Sequence, residues 1–236
     1  MEVFMDEIKI LVVDDEEEIA NLVEIHLVSE GYKVFTANNG YDGLKIIENE
    51  DIKLAVIDIM MPGMDGLTMC KKIRQTSNIP IIMLSAKSSD IDKIVGLGNG
   101  ADDYVAKPFN PLELTARVKS QLRRYTTLNV ADAPENSDEI SIKGLVINRT
   151  THSVIAYGKE VKLTPIEFDV LYLLASNPGR VFSTDKIFEL VWKEKMFEAN
   201  NTVMVHIRRI RGKIELDSSK SQIIKTVWGV GYKIDK

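Results

Sequence analysis

Residues 54–66 read LAVIDIMMPGMDG. The apolar run Leu54-Ala55-Val56-Ile57 passes straight into Asp58, and Pro62-Gly63 follows after three more residues. Such a run reads as a strand buried on both faces. A carboxylate at its end costs several kcal/mol if it is buried without a partner. A lone Asp at a strand end commonly caps the next helix. The choice between a cap and a working charge depends on the rest of the chain.

The stretch is the third of five similar units. Strands are expected over residues 8–13, 32–36, 53–58, 80–84 and 103–106, each followed by a segment of helical periodicity. After the first strand, Ile19, Leu22, Val23 and His26 or Leu27 share a face at 3.6 spacing. The last helix starts near Pro111, carries Leu112, Leu114, Val118 and Leu122, and ends in Arg123-Arg124. Strands alternating with helices predict an α/β unit: a five-stranded, parallel, doubly wound sheet of flavodoxin-like type. Right-handed crossovers place all five strand C-termini along one edge.

At 236 residues the chain is long enough for two domains, each with its own core. Its 44% hydrophobic and 28% charged residues are those of a globular protein. No apolar run approaches the roughly 20 residues that span a bilayer. The start, MEVFMDEIKILVVDDEEE, lacks the basic and apolar pattern of a signal peptide, so a cytoplasmic protein is expected. The single cysteine, Cys70, can form neither an internal disulfide nor a Cys-based zinc site. The three histidines, His26, His152 and His206, show no ligand spacing.

Charge divides along the chain. Residues 1–125 hold 14 Lys and Arg against 21 Asp and Glu, whereas residues 140–236 hold 16 against 10. A basic half joined to an acidic one suits a nucleic-acid partner for the second half, although a solvated surface has the same balance. Residues 126–139, TTLNVADAPENSDE, have no periodicity and read as a flexible linker between domains 1–125 and 140–236. The second domain opens with short alternating runs, ISIKGLVIN and HSVIAY, expected to pair as antiparallel strands. In LTPIEFDVLYLLASNPG, Thr164 is an N-cap, Pro165 the first helical residue, Glu167 the capping-box acid and Asn177-Pro178-Gly179 the stop. Helices at about 184–192 and 201–215 follow, and IKTVWGVGYKI closes the chain as a hairpin. Three helices ending in a hairpin predict a winged helix.

The first strand repeats the surprise of the third, because ILVV runs into Asp14-Asp15. Asp14, Asp15 and Asp58 therefore meet at the strand C-termini, the ligand-binding edge of open α/β sheets. Three neighbouring carboxylates repel unless a cation joins them. With no His or Cys among them, the oxygen ligand set favours Mg²⁺, with Mn²⁺ a substitute. Lys107 ends the fifth strand before Pro108, a position that allows a cis bond, and Ser85 ends the fourth. A metal, a lysine and a hydroxyl around one Asp form a phosphoryl-transfer constellation in which Asp58 is the nucleophile.

VVDDEEEI, VIDIMMPGMDG, IIMLSAKS and GADDYVAKPF resemble, in order and spacing, the receiver domain of two-component response regulators. NNTVMVHIRRIRGKIE and IKTVWGVGYKI resemble the winged-helix effector of the OmpR/PhoB subfamily, and LTPIEF, ARVKSQLRRY and IKTVWGVGYKI are most similar to VanR-type regulators of vancomycin resistance. The resemblance implies that Asp58 is the phosphoacceptor and that Asp15 and Asp58 ligate Mg²⁺ directly, with Asp14 acting through water and Met60 through its backbone carbonyl. It implies that Lys107 pairs with phosphoryl oxygens and that Ser85 and Tyr104 form the switch. Ser85 departs mildly from the Thr of most relatives. The implied partners are a sensor histidine kinase, promoter DNA, RNA polymerase and, after phosphorylation, a second copy of the chain. That dimer would form through the helix between the fourth and fifth strands, the fifth strand and the helix after it, with Lys93–Glu113 and Asp103–Arg117 as inter-subunit pairs.

On the third effector helix, Val203, Ile207, Ile210 and Ile214 form one buried stripe. The opposite face is expected to carry Thr202, His206, Arg209 and Lys213, flanked by Asn201, Val205, Arg208 and Arg211. With the hairpin residues Thr226, Trp228, Gly229 and Tyr232, these suit a recognition helix in the major groove. Trp228 replaces the Arg that many relatives carry on the wing, and Gly212 costs the helix about 1 kcal/mol. Two rival functions are an aspartyl-phosphate phosphatase or phosphotransferase, and a phospho-dependent interaction module without DNA binding. The first usually needs an acid two residues after the nucleophile, where Met60 stands. Met60 and Lys87 flank the approach of water to a phosphorylated Asp58, and neither is a general base at neutral pH, so slow self-dephosphorylation is expected.

Overall fold

The computed structural model describes residues 7–86, 100–127, 139–193, 200–217 and 222–236. The chain divides into two units, Met1–Tyr125 and Thr126–Lys236. Lys87 and Lys93, and most of the expected linker, lie outside the described residues.

In the first unit the elements run β1 (Lys9–Val13), α1 (Glu17–Ser29), β2 (Lys33–Ala37), α2 (Gly40–Asn49), β3 (Ile52–Asp58), α3 (Gly66–Thr76), β4 (Ile81–Ser85), β5 (Asp103–Ala106) and α4 (Pro111–Thr127). The sheet order is β2-β1-β3-β4-β5, and every pairing is parallel. Leu54, Ala55, Val56 and Ile57 are fully buried because helices cover both faces of the central strand. Leu54 and Val56 pack with Ile10, Val12, Ile82 and Leu84 against Val23 and Leu27 of α1 and Leu114, Val118 and Leu122 of α4. Each fully buried Leu, Ile or Val stabilises the fold by about 1.5–3 kcal/mol. One expectation for α1 fails. Its buried residues are Ala20, Val23 and Leu27, while Leu22 is 41% exposed, because the small Ala20 and not the leucine meets the sheet.

Helix α3 resolves the choice left open for Asp58. The Asp65 side chain accepts a hydrogen bond from the Thr68 amide at 2.7 Å and caps the helix itself. Asp58 is thus not needed as a cap. Gly66 begins α3 directly against the Asp58 carbonyl, where a Cβ would collide with the backbone. The PGMDG turn therefore closes tightly behind the Asp58 carboxylate. Further along the sheet, buried Asp102 accepts from Arg74 at 2.6 Å and from the Ile81 amide at 2.9 Å, tying α3 and β4 to the entry of β5.

The second unit contains a four-stranded antiparallel sheet, β6 (Glu139–Ile142), β7 (Leu145–Asn148), β8 (Ser153–Ala156) and β9 (Lys159–Glu160). Helices α5 (Pro165–Ala175), α6 (Thr184–Trp192) and α7 (Asn200–Ile214) follow, then the hairpin β10 (Ile224–Val227) and β11 (Gly231–Ile234). This is a winged helix. Helix α4 runs to Thr127 and β6 starts at Glu139, so both ends of the expected 126–139 linker belong to regular structure. The core joins Ile166, Phe168, Leu171 and Leu174 of α5 to Ile187 and Trp192 of α6, Val203, Ile207, Ile210 and Ile214 of α7, and Ile224 and Ile234 of the hairpin. Gly231 lies against the Phe182 carbonyl with no room for a Cβ, so the hairpin sits flush on the segment leading into α6.

Candidate functional site

Register brings the acidic residues together. Val13 stands opposite Ile57, so Asp14 and Asp58 are the next residues of neighbouring strands. Asp58 in turn pairs with Leu84, and Ser85 with Ala106, so Ser85 and Lys107 follow one step further along the same edge. The Lys107 amide donates to the Ser85 carbonyl at 2.7 Å, which fixes where its side chain starts. One carboxylate oxygen from each of Asp14, Asp15 and Asp58 lies within 4.8 Å of the others. Asp14 and Asp58 are buried and Asp15 is exposed. A cleft of about 420 Å³ opens beside Asp14 and Asp15, with Glu17, Asn21, Asn38 and Asp42 on its walls.

Lys107 is the cation that the structure supplies. Its Nζ lies 2.8 Å from Asp14 Oδ2, 3.4 Å from Asp58 Oδ1 and 3.3 Å from Glu16 Oε1. Among the described residues one lysine stands among the carboxylates of Asp14, Asp15, Glu16 and Asp58, and the longest of its contacts is to Asp58, beyond the usual charge-assisted length. Burial raises the Asp58 carboxyl to about 6; Lys107 opposes the shift and the charge of Asp14 adds to it. Burial also raises Asp14, against its hydrogen bond to Lys107. For Lys107, burial works to lower the ammonium pKa but is outweighed by Asp14 and Asp58, so the net shift is upward. An all-oxygen, under-neutralised cluster of this kind fits a divalent cation. Ser85 is buried at the end of β4, and Tyr104 is half-buried on β5 opposite Met83. Met60 is 55% exposed just after Asp58. Glu16 was not among the expected site residues, although its place in the DDEEE run was a signal for it.

Asp103 and Arg117, expected as an inter-subunit pair, are joined within the single chain. Arg117 donates to both Asp103 oxygens at 3.0 and 3.2 Å within one chain, and to Glu113 one helical turn before it at 3.0 Å. The cause is local: β5 and α4 lie side by side, and the i,i+4 spacing brings Glu113 to the same guanidinium.

In the second unit the expected DNA face of α7 is largely turned inward. His206 is fully buried, its ring 5.4 Å from that of Trp192. Arg209 reaches Glu167 at 2.9 Å and Lys213 reaches it at 2.6 Å. Glu167 is itself fully buried on α5, where it also accepts from the Thr164 amide at 2.9 Å. Burial works to raise its carboxyl, but Arg209 and Lys213 outweigh it and hold the group below the ordinary value. Arg211 donates to the Ile224 carbonyl at 2.7 Å and to Thr226 Oγ1 at 2.9 Å, with its guanidinium over the Tyr232 ring. Val205 and Tyr232 are buried to 9% exposure. His206, Arg209, Lys213, Arg211, Val205 and Tyr232 thus hold the domain together, and Thr226 serves as an anchor for Arg211. Met204, Arg208 and Gly212 form an exposed stripe at spacings of four, Lys213 is also exposed while its ammonium reaches back to Glu167, and Thr202 is half-buried beside them. Met204 was missed, and Gly212 has open space where a Cβ would stand. The Asn201 side chain lies outside the described residues. On the hairpin, Gly229 takes φ +72° in the turn and Trp228 is 90% exposed.

Comparison with known proteins agrees with both halves. Residues 10–119 match the response regulator receiver domain, and residues 158–234 match the C-terminal domain of transcriptional regulatory proteins. The regulatory protein VanRc of Enterococcus gallinarum is 51% identical over 97% of this chain and 99% of its own length; VanR of Enterococcus faecium is 49% identical over the same shares. Among solved structures, the response regulator DrrB, an OmpR/PhoB homologue from Thermotoga maritima, is 35% identical over 98% of this chain and 100% of its own, with a TM-score of 0.51. A point mutant of RitR is 25% identical over 97% of this chain and 99% of its own, with a TM-score of 0.73. The chain therefore belongs to the two-component response regulators, with a receiver domain and an OmpR/PhoB-type transcriptional regulatory domain.

Proposed function

We propose that this regulator accepts a phosphoryl group on Asp58 from the phosphohistidine of a sensor kinase in the cytoplasm. It then dimerises and acts with RNA polymerase at promoters of the kind that VanR-type regulators control. The observation that carries this reading is the convergence of the Asp14, Asp15 and Asp58 oxygens within 4.8 Å, beside Lys107. Asp58 attacks phosphorus in line, the phosphorus–nitrogen bond breaks and the kinase's imidazole leaves, while Lys107 shifts its ammonium from the carboxylates to a phosphoryl oxygen. Asp15, Asp58 and the Met60 carbonyl, with Asp14 through water, would hold a Mg²⁺ or Mn²⁺ ion, which would supply the remaining positive charge. Ser85 turns its hydroxyl to the new phosphoryl group, and Tyr104 follows into the space beside it. Met60 offers no base to an attacking water, so the acyl phosphate decays slowly and rapid shut-off needs a phosphatase. In the effector, Arg208 and Met204 face the major groove, where an Arg recognises guanine edges or phosphates. The reading is tested by incubating Asp58→Asn with Mg²⁺ and a radiolabelled small acyl phosphate. The variant is expected to keep its circular dichroism and take up no label; labelling at the wild-type level would falsify the assignment.

A further inference from the structure

The wing of the effector domain is chemically unlike a phosphate-binding hairpin. Between Lys225 and Lys233 it reads TVWGVGY, without a charge. The two lysines are themselves committed, at 2.8 and 2.7 Å, to the carboxylate of Asp235. At the tip, Trp228 is 90% exposed and Val230 55%, and the turn is closed by the Val230 amide on the Val227 carbonyl at 2.9 Å. The base of the hairpin is firmly held. Arg211 of α7 binds the Ile224 carbonyl and Thr226 Oγ1, and Tyr232 and Phe182 exchange backbone hydrogen bonds at 2.9 Å. An indole is thus presented to solvent from a support continuous with the helix that carries Arg208.

We propose that Trp228 is a minor-groove wedge: its indole enters between base pairs of the bound duplex and partly unstacks a flexible step. The proposal rests on the reading of α7 and the wing as the DNA interface. An uncharged tip cannot neutralise phosphate, so it adds little to salt-dependent affinity. A flat apolar ring has a different use. The minor groove is lined by sugar edges, and apolar side chains that enter it unstack a base step and kink the duplex towards the major groove. Pyrimidine–purine steps such as TA and CA give way most readily. Trp228 then supplies sequence preference through deformability, without a hydrogen bond to any base. The held base of the hairpin matters, because a loosely tethered ring would yield before the stacked bases did.

The chain's own tryptophans make the test direct. Trp192 is 2% exposed in the core, so accessible indole emission comes from Trp228, and Trp228→Phe provides the baseline. The full-length protein is titrated with duplexes selected from random DNA, carrying 2-aminopurine at the step that faces the wing. Saturation is expected to quench Trp228, protect it from acrylamide and brighten 2-aminopurine. Trp228→Ala is expected to lose the 2-aminopurine signal and about tenfold in affinity, and Trp228→Phe to keep most of both. Unchanged indole quenching at saturation, or full affinity and 2-aminopurine signal in Trp228→Ala, overturns the wedge. Normal DNA binding by Trp228→Ala together with lost transcription by purified polymerase also overturns it, and assigns the tip to a protein partner. If wild type retains no duplex at all, the DNA-binding reading of α7 falls, and the wedge with it.

Discussion

Each unit buries charge, but to opposite effect. At the receiver edge, Asp14 and Asp58 are enclosed, among the described residues, with Lys107 as their one lysine, and their carboxyls are held above the ordinary range. In the effector, Glu167 is enclosed with two cations and is held below it. The first arrangement is under-neutralised and favours an incoming cation. The second is satisfied and has no charge to offer. Burial of a charge therefore does not mark a working site; the balance of its surroundings does.

The contrast is most exposed to failure at Glu167. Replacing it with Ala removes the partner of Arg209 and Lys213 and the acceptor for the Thr164 amide, so the effector should lose about 3 kcal/mol. A urea midpoint of the full-length protein left where the wild type has it would show the cluster to be dispensable. The receiver should respond with the opposite sign. Without divalent cation at pH 7, Asp58→Asn removes an ill-placed charge and should stabilise the first unit by about 2 kcal/mol. Added Mg²⁺ should then raise the wild-type midpoint and leave the variant's nearly unmoved. On α7 the two kinds of arginine should separate. Arg208→Ala should cost about tenfold in DNA affinity with its stability unchanged, whereas Arg211→Ala should lower stability first, because it frees the Ile224 carbonyl and the wing. Equal effects of the two on stability would erase the distinction.

The smallest effect is in pH. Burial lowers the His152 imidazole to about 4, with the charge of Arg149 adding to it, while its ring packs 4.2 Å from that of Phe168. Below about 6.5 the unfolded chain takes up a proton that the native effector refuses, so stability falls as pH drops from 6.5 towards 4. Asp58 shifts the other way. In metal-free buffer the native receiver binds its proton first, so that unit gains stability as pH falls through 6. Unfolding followed between pH 7 and 5 should give opposite slopes for the two units, and His152→Gln should flatten the effector's by about 1 kcal/mol. Parallel slopes would contradict both assignments.

The receiver site was legible because topology does the gathering. Once LAVID and ILVVDD are strands of a parallel sheet, their terminal acids share an edge, and only Glu16 escaped notice. The DNA face was not legible in the same way. The order of residues on α7 defines a buried stripe, but which side of the remaining surface meets solvent depends on α5. There Glu167, an acid set among PIEFDVLYLLA, draws Arg209 and Lys213 to itself. The counter-charge lies 42 positions from Arg209 in the chain, and no periodicity connects the two. Arg117 is a different case. Its partners are one strand and one helical turn away, so complementary charge alone could not tell an inner pair from an outer one.

The placement of Cys70 has a practical consequence. The chain's single thiol is fully buried on α3, in the receiver, while Trp192 is enclosed in the effector. A thiol reagent can reach sulfur only when the first unit opens, so its rate of capture is a clock for that unit alone. In a Trp228→Phe background, indole emission reports the other. One intact polypeptide thus carries two independent stopwatches, each sealed inside a different half.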